Sequence, residues 1–320
     1  MTGHAVPAPD ACSVGFDRAG VSAYGTAARA TFFVAVEQPG PWGRDAAAES
    51  HLPAGLGRAL AEACSSRGGR LSLIRRPGRH ADAHEPGHLA YLAWSGTEPW
   101  LLLARVADPT VLLQVDLDAL ARGDRAGVKA SLPGLEESAP VLLVCTNGRR
   151  DVCCAVRGRP VALDAAGVAP GRVWEASHTG GHRFAPTGVL LPHGATLARL
   201  DLGLSTAVLD AADHDELPPH VLGPVHDRGR SPLSPPEQAA ESQVRLLTGE
   251  TSLTALSTSV RDAEDTTGAG ATVSTTVAVV HRDGREWLVG CERRSEPTEL
   301  PESCGKAAVP VTAWTAALLS

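Results

Sequence analysis

Two stretches of this chain read alike at a fixed distance. GRLSLIRRPGRH (69–80) and GRVWEASHTGGHRF (171–184) align at an offset of 102, pairing Arg70 with Arg172, Gly78 with Gly180 and His80 with His182. The apolar runs that follow end alike, in LLLARV (101–106) and ATLARL (195–200), at an offset of 94. Self-similarity at a spacing near 100 residues implies two copies of one unit, which limits the fold before any local signal is weighed.

Local patterns fill in the unit. TFFVAVEQPGPWGRD reads as a buried strand ending in a Pro/Gly loop, followed by an Ala-rich helical stretch up to ALAEACSSRGG. GRLSLIRRPGRH is a second strand, and LAYLAWSGTEPWLLLARV a hairpin turning at Gly96. The order is β-α-β-β-β. A second pass starts at residue 140: PVLLVCTNGRRD and GRVWEASHTGGHRF each read as strand then loop, and TGVLLPHGATLARL as a hairpin. A Pro-rich stretch then leads into a helix at SPPEQAAESQVRLLTG, whose Ser-Pro-Pro-Glu opening is a helix start. TSLTALSTSVRDAEDTTGAGA reads as a flexible crossing, VSTTVAVVHRDGREWLVGCERR as a hairpin at Asp283-Gly284, and VPVTAWTAALLS as a last strand. The expected fold class is α/β. Its division is a tail (1–25), a first lobe (26–125), a second lobe (138–250) and a β-rich extension (251–320) packed on one lobe.

Composition excludes several functions. The chain has 320 residues and a formal net charge of −7, and uses Arg almost to the exclusion of Lys, so no basic stripe suits a phosphate backbone and nucleic acid is not an expected partner. No basic leader runs into an apolar core and no apolar run approaches a membrane span, so the expected setting is the cytoplasm. Seven cysteines at uneven spacings there argue against a disulfide framework. Most read as buried small hydrophobes, but Cys145, Cys153 and Cys154 share one loop-like stretch.

The second unit also carries His178 and His182 on either side of Gly180-Gly181. Thiolates with imidazoles suit zinc or an iron–sulfur cluster. Zinc fingers and knuckles bring their cysteines two to four residues apart, whereas eight residues separate Cys145 from Cys154. A loop that wide wraps a larger object, and the glycines let the backbone approach it, which favours [2Fe–2S] over zinc. The plain alternative is a turn with satisfied histidines. At the corresponding places the first unit has Glu37 or a neighbour for Cys145, and Arg76 for His178, so only the second owns a site.

CTNGRRDVCCAVRGRP, followed by WEASHTGGHRF and VLLPHG, resembles the sucrase/ferredoxin-like family, which includes thioredoxin-like [2Fe–2S] ferredoxins with Cys-x8-Cys and His-x-Gly-Gly-His ligands. The likeness extends more loosely to GTAARATFFVAVEQPGPWGRDA, LIRRPGR and ESCGKAAVPVTAW. It implies two tandem thioredoxin-like lobes, the first degenerate, and assigns Cys145 and Cys154 as thiolate ligands with His178 and His182 as imidazole ligands. Cys153 would give Cys-x7-Cys, and only register favours Cys154. The implied role is electron transfer to or from a redox partner protein, a reductase or acceptor enzyme, with proton uptake linked through the histidines. No carboxylate pair forms a glycosidase motif that would justify the word sucrase.

Two rival functions use the same residues. A zinc-stabilised interaction module needs the four ligands without redox, and a thiol-dependent oxidoreductase would use the Cys153-Cys154 pair, although Cys-x-x-Cys is missing. His80, His84 and His88 in RHADAHEPGH read as a polar loop, since Pro86 and Gly87 break any helix. Cys304 in PESCGK reads as structural. Arg149, Arg150 and Asp151 either hydrogen-bond ligand sulfur or solvate a turn.

Overall fold

The computed structural model describes residues 7–78, 87–265 and 273–319. A short helix α1 (Cys12–Arg18) precedes the apolar run that forms β1 (Phe32–Glu37). Helices α2 (Ala46–Glu49) and α3 (Leu56–Ser65) cross over to β2 (Gly69–Arg75), parallel to β1, and a hairpin of β3 (His88–Trp94) and β4 (Trp100–Val106) lies antiparallel on the other side of β1. Helices α4 (Leu117–Ala121) and α5 (Arg125–Ser131) start where Asp116 and Asp124 cap free main-chain N–H groups, and β5 (Glu136–Glu137) closes that edge.

The second unit repeats the plan with β6 (Val141–Cys145), helix α6 (Val152–Val168), β7 (Val173–Ala176) and the hairpin β8 (Gly188–Leu191) and β9 (Ala195–Leu197). Helix α7 (Leu202–Ala212) and β10 (Asp227–Arg230) follow. The strand orders β2-β1-β3-β4 and β7-β6-β8-β9 match, with the first pair of each parallel. Both are the thioredoxin-like arrangement expected from the sequence.

The two units share one ten-stranded sheet, joined where β2 pairs antiparallel with β7. Ile74 faces Ala176 there, its own counterpart at the offset of 102, so a local two-fold passes through the seam. Register also matches the units residue by residue. Glu37 pairs with Ile74 as Cys145 pairs with Ala176, so Glu37 holds the position of Cys145. Arg76, at the place of His178, lies 3.6 Å from the Glu37 carboxylate. An ion pair occupies the first unit where the second has sulfur and imidazole.

Alternating positions serve different cores. Phe32, Val34 and Val36 pack with Leu60 in the first unit, and Leu142 and Val144 pack with Ala162, Leu204 and Val208 in the second. The intervening residues Phe33, Leu143 and Trp174 belong to a third cluster that runs across the seam, where Trp174 meets Tyr91 edge-on at 5.9 Å.

Helix α8 (Pro235–Thr248) opens with a Ser234/Glu237 capping box and ends at Gly249 in the left-handed conformation. It lays Ala239, Ala240 and Val244 against a four-stranded antiparallel sheet of β11 (Leu256–Asp265), β12 (Val273–His281), β13 (Glu286–Pro301) and β14 (Ala308–Leu318). The extension is therefore β-rich.

Three local expectations change. The segment read as a flexible crossing contains β11, because its Ser/Thr/Val residues pair along β12 from Leu256 to Asp265; residues 266–272 lie outside the described ones. Cys153 and Cys154 are not in a loop but in the first turn of α6, which Asp151 caps through Cys153 N at 2.9 Å. Gly158 and Pro160 inside that helix obscure its pattern. His88 begins a strand and bonds the Glu37 carbonyl at 2.7 Å, while His80 and His84 lie outside the described residues. Among the described residues no helix is long and apolar enough to cross a membrane.

Candidate metal centre

Cys145 ends β6, Cys154 sits in the first turn of α6, and His178 follows β7, so the parallel β6–β7 pair and its crossover helix converge on one point. Gly158 permits the approach, since a Cβ there would overlap the Cys145 carbonyl. The donor atoms of Cys145, Cys154 and His178 all lie within 4.8 Å of one another. Both thiols are buried, and the His178 ring is 5.6 Å from that of His182, tilted by 37°. His182 stands at the start of a short 3-10 turn (His182–Phe184), outside the group of three and on the side facing Asp151.

The two thiols shift in opposite directions. Cys145 accepts hydrogen bonds from Cys154, His178 and the Thr179 main chain, which together hold it well below the ordinary thiol range despite complete burial. Cys154, the donor, is pushed up by that bond and by burial. Burial likewise lowers His182 and keeps it neutral, the form that can donate a lone pair to a metal.

A buried cation and a half-buried one support the site. Arg228 donates Nη1 to the Gly180 carbonyl and Nε to Thr26 Oγ1, each at 3.0 Å, and Nη2 to the Thr26 carbonyl. Arg70 donates Nη2 to the His178 carbonyl at 3.2 Å. Burial pulls Arg228 down to about 9, opposed by Cys145 and Cys154. The glycine pair has a more specific use than the sequence suggested. Gly181 adopts φ +70°, and a Cβ on it would overlap the Arg228 guanidinium, so the missing side chain makes room for an arginine.

Cys153 turns away from this group. It joins Cys12, Cys304 and Asp151 in a second cluster, whose donors also lie within 4.8 Å of one another. Asp151 accepts from Ser303 Oγ at 2.8 Å and from Cys304 N at 2.9 Å. Burial pushes its carboxyl up, but the bonds from Cys304 N, Ser303 and Cys153 N prevail and hold it below the usual range. Arg149 and Arg150 are exposed. Cys304 is thus part of a thiol cluster, and Cys12 was missed altogether. Nothing in the spacing could reveal either, because 292 residues separate them.

The donor set fits a metal group. His178 Nδ1 and both ring nitrogens of His182 are buried without a hydrogen bond of normal geometry; the Asp151 carboxylate stands 3.7 Å from His182 Nε2 and the Glu302 main chain interacts with the ring. Buried polar atoms left this way are costly unless something accepts their lone pairs.

Fold and donors define a class: α/β proteins with two thioredoxin-like units, the second carrying a Cys/His group able to hold a metal, beside a β-rich extension. The chain belongs to the sucrase/ferredoxin-like family, whose model matches residues 23–210. No curated protein and no solved structure matched it.

Proposed function

We propose that the chain is an electron carrier that binds one [2Fe–2S] cluster through Cys145, Cys154, His178 and His182. The observation that carries this reading is the convergence of two buried thiols and His178 within 4.8 Å, with nitrogens on both histidines that lack a hydrogen bond of normal geometry. The fourth donor stands outside that group, a spread wider than a single tetrahedral ion requires. The family name points the same way.

Bound there, the cluster supplies one-electron oxidation and reduction. The chain's own residues set the conditions for it. Cys145 is the member of the thiol pair that gives up its proton more readily, and Cys154 the one that holds it. The Arg228 and Arg70 guanidiniums favour the more negative, reduced state and raise the potential. Each histidine that binds through one nitrogen keeps a proton on the other, which links proton to electron uptake, as in Rieske centres. The acidic chain suits transient docking on a basic patch of a reductase or acceptor enzyme.

The thiol-oxidoreductase alternative loses its footing because the sulfurs of Cys153 and Cys154 belong to different clusters. Iron and acid-labile sulfide analysis of the anaerobically purified full chain tests the proposal, together with a redox titration across roughly pH 6 to 10. About two iron and two sulfide per chain are expected, with a potential that falls by up to about 59 mV per pH unit above neutrality. A colourless protein with zinc at these four residues overturns it.

A further inference from the structure

Cys12, Cys153 and Cys304 form a closed triangle of sulfur. The Sγ atoms stand 3.5 Å (12 to 153), 3.2 Å (153 to 304) and 3.6 Å (304 to 12) apart. The Asp151 carboxylate oxygens lie 3.9 and 4.0 Å from Cys12 Sγ. Cys12 and Cys153 are buried and Cys304 half-buried, with Ala11 and Ala185 packed around them.

Thiols give little reason for such a triangle. An S–H group is a weak donor and sulfur a weak acceptor, so three side chains from distant segments would gain little by meeting as thiols. A disulfide uses two sulfurs at about 2.0 Å and leaves the third without purpose. A tetrahedral zinc ion with bonds of about 2.3 Å holds its thiolates about 3.8 Å apart, the scale seen here. Thiolates on different irons of a cluster are spread further by the cluster itself. We infer that Cys12, Cys153 and Cys304, with Asp151 as fourth donor, form a second metal site for a single thiophilic divalent ion of the zinc class.

The surroundings are those of a structural site. Ser303 Oγ and the main-chain N–H groups of Cys153 and Cys304 donate to Asp151 and fix its carboxylate, as outer hydrogen bonds orient metal ligands. The ion would tie helix α1 and the turn after β13 to the first turn of α6, which also carries Cys154. It would therefore staple both ends of the chain beside the first site without entering it.

The full chain, purified anaerobically from zinc-replete medium, is assayed for zinc, iron and sulfide by mass spectrometry and colorimetry. About one zinc per chain is expected. Cys12→Ser and Cys304→Ser should each lower zinc at least about tenfold and leave iron and sulfide unchanged, while Cys145→Ser should do the reverse. Metal-stripped wild-type chain titrated with Co(II) should develop thiolate charge-transfer and tetrahedral ligand-field absorption that saturates at about one equivalent, a readout that needs no variant to fold. Zinc that persists in both variants, zinc lost with Cys145 instead, iron lost with Cys12, a Cys153–Cys304 disulfide in the purified chain, or no thiolate–cobalt absorption would each overturn the site.

Discussion

Successive residues on a helix point about 100° apart, so Cys154 can face Cys145 while Cys153 faces Cys12 and Cys304. Cys145→Ser and Cys154→Ser should accordingly each reduce bound iron to below about a tenth of the wild-type amount, whereas Cys153→Ser should keep it; iron analysis and the visible spectrum decide. That choice was only half legible in the sequence. Spacing and resemblance favoured Cys154, but the destination of Cys153 depended on Cys12 and Cys304, whose separation along the chain hides any pattern. The glycine pair was legible as permissive backbone and misleading about its occupant, since Arg228 comes from β10 and carries no local signal. Gly181→Ala should destabilise the fold by about 1–3 kcal/mol, through left-handed strain and displacement of that guanidinium. Gly171→Ala, at φ +80° with open space, should cost less. Urea denaturation of the two variants gives the comparison.

Among the elements, the seam between β2 and β7 carries a buried charge pair. Arg75 donates Nε and Nη2 to Glu175 Oε2 at 3.0 and 2.7 Å, Thr146 Oγ1 adds a bond of 2.8 Å, and the guanidinium stacks 4.2 Å from the Trp42 ring. Arg75→Met removes both guanidinium bonds from the buried carboxylate and should cost about 3–5 kcal/mol, while Arg75→Met with Glu175→Leu should recover most of the loss; chemical denaturation checks both. In the β8–β9 turn, burial holds His193 down to about 4, against the pull of the Asp215 carboxylate 3.4 Å from its Nε2. Because the unfolded histidine titrates near 6.5, the unfolded chain takes up the proton first. Stability is full above pH 6.5 and falls between 6.5 and about 4, by up to about 1.4 kcal/mol per pH unit. His193→Gln should flatten that slope in urea midpoints measured at several pH values. Strands with continuous apolar runs, such as FFVAVE and VLLVC, were plain in the sequence. Helix α6 was not, because Gly158 and Pro160 interrupt its pattern, and β11 was not, because a run of Ser, Thr and charged residues becomes a strand only by pairing with β12.

For the whole molecule, duplication predicted the sheet's repeated strand order but not that the copies would meet edge to edge. Offset reveals likeness, whereas the β2–β7 pairing rests on side chains such as Arg75 and Glu175 that differ between the copies. If the proposed redox partner presents a basic patch, a net charge of −7 makes their encounter salt-dependent. Stopped-flow electron exchange should slow by about tenfold between roughly 0.05 and 0.5 M salt, and a rate indifferent to salt would count against charge-guided docking. The shared seam also sets a schedule for the growing polypeptide. The first unit completes its own four strands at Val106, but the outer edge of β2 stays bare until β7 is made, about 70 residues later. At roughly 5–20 residues per second that is several seconds on the ribosome with an unpaired strand exposed. Neighbouring nascent chains on one message would present the same edge to each other, so prompt synthesis of the second unit protects the first from pairing with the wrong copy.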